Sequence, residues 1–122
     1  MNPTDFFEVS KRIKRGIELK RPSSFTGRVE EAWIRTGISR TYYSVFLFLR
    51  DKLSFQKYTR SNVHGKVINR LRIISPEIAH KLQALRIKRD DADYNLLIRF
   101  RYKDLIWAIS IAEDIFTKSK NI

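Results

Sequence analysis

Turn-forming residues are scarce in this chain, which has four glycines and three prolines among 122 residues. Many short strands joined by tight turns need more punctuation than that, so a handful of long helices is favoured. Apolar residues recur every three or four positions in five segments. Thr4 to Lys20 follows a proline and a capping hydroxyl, with Phe6, Val9, Ile13 and Ile17 as the expected inner stripe. RPSSFTG, Arg21 to Gly27, breaks the pattern and turns the chain back. A long second helix runs from Arg28 to Leu53, with Ala32, Ser39, Tyr43, Phe46 and Leu53 as a stripe around Gly37.

Ser61 and Asn62 offer caps for a third helix marked by Val63, Val67, Leu71 and Ile74. Ser75 and Pro76 then end it and start another, because proline fits a first helical turn and not an interior. In the fourth helix Ile78, Leu82 and Leu85 share a face, and fraying is expected near Asp90 to Tyr94. The last helix begins at Asn95 or soon after, carries Leu105, Ala108, Ile109, Ala112, Ile115 and Phe116, and ends in the polar tail Lys118 to Asn121. Short links between helices force neighbours to run in opposite directions. The expectation is one all-α domain over residues 1–122, a four- to five-helix up-and-down antiparallel bundle.

Composition narrows the chemistry. Apolar residues make up 43% and charged residues 31%, enough for a core and a solvated surface. Lys and Arg outnumber Asp and Glu by 25 to 13, a net charge of +12 that makes a polyanion the first partner to consider. A basic proteome or a hot cell is the other source of such a balance. The absence of cysteine excludes disulfides, thiolate metal sites and thiol nucleophiles. No stretch nears the ~20 apolar residues of a membrane span and the start lacks a leader pattern, so a soluble, cytoplasmic protein with no membrane partner is expected. No cofactor or metal is implied.

Arg89 stands out. It lies eleven residues after Ile78, about 1,100° of rotation and so about 20° past three full turns, on the apolar face of the fourth helix. A guanidinium there must be paired or line a cavity. Asp93, one turn on, offers the pairing explanation; a groove in which Arg89 grips phosphate with its planar fork is the functional one.

Three segments carry a family resemblance. ISRTYYSVFLFLRDKL (Ile38 to Leu53) resembles the "SRxYYxxF" helix of short prokaryotic HEPN proteins, RDDADY (Arg89 to Tyr94) resembles their "RxxADY" signature, and NVHGKVI (Asn62 to Ile68) is similar to their "THxGxI" stretch. The matches keep the family's order and span about half the chain. The resemblance implies a HEPN-like bundle that dimerises with its polar motif lining a shared cleft. It also implies pairing with a small nucleotidyltransferase as toxin and antitoxin, or service in another defence system, and metal-independent RNA cleavage in the active members.

Those nucleases place a histidine four to six residues after the arginine, and here Tyr94 stands five after Arg89. RNA cleavage through the 2′-hydroxyl needs a proton acceptor and donor near neutrality besides a cation. Arg89, Asp93, Tyr94 and His64 are the catalytic candidates: Arg89 as phosphate anchor, Asp93 orienting it, Tyr94 donating a hydrogen bond, and His64 as the remaining proton-transfer group or a structural histidine. His80 reads as surface. One of Tyr42 and Tyr43 should enter the core while the other leans outward, where Arg40 and Tyr43 border the cleft and stack on a base.

Lys66, Arg70, Arg86 and Lys88 complete the RNA-binding candidates, and Lys11, Arg12, Lys14, Arg15, Arg72, Arg99, Arg101 and Lys103 add further basic surface. Two readings follow: an RNA-directed protein that is a ribonuclease toxin, or a non-catalytic module that holds RNA or nucleotide and docks a nucleotidyltransferase partner. A helical DNA reader fits the charge and lacks the short inter-helix turn of that class.

Overall fold

The computed structural model describes residues 1–19, 27–55, 57 and 62–122. Five helices follow in order: α1 (Thr4–Leu19), α2 (Gly27–Lys52), α3 (Val63–Ile74), α4 (Pro76–Tyr94) and α5 (Tyr102–Lys118), with a closing 3₁₀ turn over Ser119–Asn121. Among the described residues there is no strand, and no helix is long and apolar enough to cross a membrane. The expected turn at 21–26 and the Ser61 cap lie outside the described residues.

The longest helix, α2, is the spine. α1, α4 and α5 pack against it, while α3 packs mainly on α4. Its fully enclosed side chains are Ile38, Thr41, Tyr42, Ser44, Val45 and Leu49, with Ile34 beside them. The expected stripe is therefore rotated: Ser39 and Phe46 are buried, but Ala32 is exposed, Tyr43 is half-buried and Leu53 lies past the helix end. A helix covered by neighbours on several sides buries more than one stripe, and its periodicity blurs. One apolar cluster draws residues from all five helices.

Two further faces differ from expectation. On α1 the inward residues are Phe7, Ser10, Ile13 and Ile17; Val9 is 43% exposed and Phe6 lies half-buried under the Arg40 guanidinium. Ser10 belongs inside because its hydroxyl donates to the Gly37 carbonyl at 2.9 Å, where a Cβ on Gly37 would come within 2.8 Å of Leu105. On α3 Val63, Val67 and Leu71 face inward as expected, Ile68 joins them, and Ile74 is left outside. Asn62 holds the cap position without a side-chain capping bond.

The end of α4 does not fray. Arg35 on α2 donates to the carbonyls of Asp91, Ala92 and Asn95 at 3.0–3.2 Å and to that of Ile98, satisfying acceptors that a helix end otherwise leaves to water. Nor does the last helix start at Asn95. Residues 95–101 form a connection pinned by buried Phe100, whose amide donates to Glu31, and α5 begins where the Arg101 amide donates to the Asp104 carboxylate at 2.8 Å.

Candidate functional site

Arg89 faces inward as its register requires, and its side chain keeps 8% of its surface exposed. Its guanidinium sits over the rings of Tyr42 at 5.0 Å and Tyr43 at 5.1 Å, and it pairs with Asp90 at 3.3 Å and Asp93 at 3.5 Å. Asp93 in turn accepts from the Ser39 hydroxyl at 3.3 Å. Burial penalises the arginine's charge, yet the two tyrosines and two aspartates hold its pKa above the ordinary value. The pairing explanation thus describes the observed geometry. Its Nε is sealed from solvent and has no hydrogen-bond partner among the described residues.

Tyr94 does not join this group. Five residues are about 140° beyond a full helical turn, and its side chain is 77% exposed. The motif position at which the resemblance implies a histidine thus points to solvent.

His64 does join it. Its ring stacks on Phe46 at 4.0 Å between centroids and 12° between planes, and its Nδ1 is 2.5 Å from the Tyr42 hydroxyl. Tyr42 has no exposed surface, whereas Tyr43 is half-buried, so the expected division between them holds. Burial, then the charges of Arg86 and Arg89, push the His64 imidazole down to about 4. Burial likewise raises the Tyr42 phenol, which stays protonated throughout the working range.

A stability experiment follows from the histidine. The unfolded chain binds a proton at this ring near pH 6.5, while the folded chain refuses it until about pH 4. His64 therefore contributes no penalty above pH 6.5 and costs stability progressively as pH falls toward 4, by about 2 kcal/mol once its partial exposure is allowed for. Urea unfolding between pH 7 and 4.5 checks this, because His64→Gln should flatten the slope in a window above most carboxylate titration.

The remaining candidates differ in their surroundings. Lys88 is bound to Asp104 at 2.8 Å and lies over the Phe100 and Trp107 rings. Glu8 serves Lys11, Arg12 and Arg15, and Glu18 serves Lys14, so half of the charge of the α1 cluster is offset. Lys66 and Arg70 project one turn apart from α3, Arg40 is exposed beside Phe6, and Arg99, Arg101 and Lys103 are exposed around the start of α5. Arg72 donates to Asn69 at 3.1 Å, and His80 is exposed. Among the described residues no group of three histidines or carboxylates is placed to hold a metal ion.

The structure therefore brings together Arg89, Asp93, Tyr42, Tyr43 and His64 where α2, α3 and α4 meet, with Arg86 one turn before Arg89 on α4, and leaves Tyr94 outside. Sequence reasoning placed one tyrosine of the pair in the core and missed Tyr42 as the partner of His64, since 22 residues separate them and no local spacing signals the bond. Comparison of the chain with family models, with curated proteins and with solved structures finds no match.

Proposed function

We propose that this protein is a HEPN-like module that binds single-stranded RNA without cutting it. The observation that carries this reading is that Arg89 is neutralised by Asp90 and Asp93 while Tyr94 turns to solvent, so the motif pair has no proton-transfer group beside a free cation. The net charge of +12 and the exposed cations on α3 and around the start of α5 supply affinity for a polyanion. RNA as ligand goes with a cytoplasmic setting.

A ribonuclease acting through His64 is the second reading, favoured by the position of that ring within the fields of Arg86 and Arg89. Incubating the protein with labelled single-stranded RNA in EDTA separates the two. Retarded, intact RNA is the expected result; fragments that disappear with His64→Ala establish the nuclease, and retention of duplex DNA alone overturns both.

The connection between α4 and α5 supplies a surface for a second copy. Tyr94, Leu96 and Leu97 are 77%, 82% and 98% exposed, preceded by Asp90, Asp91 and Asp93 and followed by Arg99, Arg101 and Lys103. A two-fold arrangement packs the exposed leucines of one ridge against those of the other. Light scattering should find a dimer that Leu96→Asp with Leu97→Asp weakens at least a hundredfold, since each buried leucine contributes about 1.5–3 kcal/mol. A monomeric parent leaves the ridge to another protein, for which the resemblance names a small nucleotidyltransferase.

A further inference from the structure

We infer that Arg86 and the Nε2–H of His64 form a receptor for one phosphate group of single-stranded RNA, in which His64 is a fixed hydrogen-bond donor and not a proton carrier. The identity of the ligand rests on the RNA reading above; the geometry of the receptor does not.

Tyr42 is completely enclosed, and a buried phenol must place its proton on an acceptor. Among the described residues that acceptor is Nδ1 of His64, 2.5 Å away. The tautomer is thereby decided: with Nδ1 accepting, the ring's own proton sits on Nε2. Stacking on Phe46 and, at 5.7 Å and 13°, on Tyr42 fixes the plane of the ring and so the direction of that N–H. Nε2 has no partner among the described residues and does not belong to the sealed, unpartnered atoms.

Arg86 supplies the charge. It is half-buried and lies three residues before Arg89, one turn along the same side of α4, the helix on which α3 packs, and its charge helps to push the His64 imidazole down. All 13 aspartates and glutamates fall within the described residues, and none of them pairs with Arg86. Asp90 and Asp93 are engaged by Arg89. A guanidinium fork and one further N–H present donors, and no acceptor, to the oxygens of a tetrahedral phosphate.

The same tautomer removes His64 from proton transfer. Gaining a proton at Nδ1 strips the Tyr42 hydroxyl of its acceptor, and losing the one at Nε2 creates an imidazolate, so the ring does neither near neutrality.

The test uses the full chain with two probes, a fluorescein-labelled decauridylate read by anisotropy and inorganic phosphate read by long-range ¹H–¹⁵N spectra of the imidazole. Free protein should show the Nε2–H tautomer, and phosphate should shift that nitrogen in the parent and not in Arg86→Gln. His64→Gln, whose amide keeps a donor near the Nε2 position, should bind RNA within about threefold of the parent, while His64→Ala and Arg86→Gln each weaken it about tenfold. Arg12→Gln, at a site 76% exposed on α1, is the charge control and should lose far less. The inference fails if the ring carries its proton on Nδ1, if Gln is as damaging as Ala at position 64, or if Arg86→Gln matches the Arg12 control while its circular dichroism is native. RNA bound with no response of His64 sinks the receptor and spares the RNA reading. A phosphate shift lost in Arg86→Gln, in a chain that ignores RNA, does the reverse.

Discussion

Arg89→Ala is expected to lower the unfolding free energy by about 3 kcal/mol, and Arg89→Met by about 2 kcal/mol. Alanine empties the space over the Tyr42 and Tyr43 rings and leaves Asp93, with 26% of its side chain exposed, facing that space without its cation. Methionine refills the volume but leaves Asp93 without its cation as alanine does, so the gap between the two variants measures the lost packing. Urea unfolding of the three proteins measures the difference. Because the guanidinium is already engaged by two carboxylates, RNA affinity of the methionine variant should stay within about twofold of the parent. A tenfold loss in a stably folded methionine variant would show that Arg89 leaves its pairs to grip phosphate, and the nuclease-like arrangement would then regain its anchor.

Salt should act on RNA binding more strongly than any single substitution. Five phosphates neutralised by cations such as Arg70, Arg86, Arg99, Arg101 and Lys103 imply a slope of about −3.5 in log affinity against log salt, hence a loss of roughly a hundredfold between 50 and 200 mM. Arg99→Gln with Arg101→Gln should reduce that slope by about 1.4. Anisotropy titrations over that range decide it. A slope near zero would mean that the +12 balance has no polyanion to answer and reflects the composition of its proteome instead.

Both expectations depend on which cations are already spent. Counting charges along the chain gives no hint that Glu8 serves three of the four α1 cations, or that Asp104 holds Lys88 from sixteen residues away. Arg35 is a similar case: nothing in its surroundings in the sequence marks it as the residue that closes the end of α4. The expectation of fraying there failed because the capping group comes from another helix.

Helix number, helix order and the inward position of Arg89 were legible in the amino-acid order, because turn residues and a period of 3.6 act through the nearest few positions of the backbone. Which face of α2 is innermost, that Tyr42 directs the tautomer of His64, and that Arg86 alone of the α4 cations stands without a carboxylate were decided only when α2, α3 and α4 packed together. Hydrogen bonds and ion pairs reach a few ångströms through space whatever the separation along the chain, so partners 22 residues apart become neighbours by folding alone.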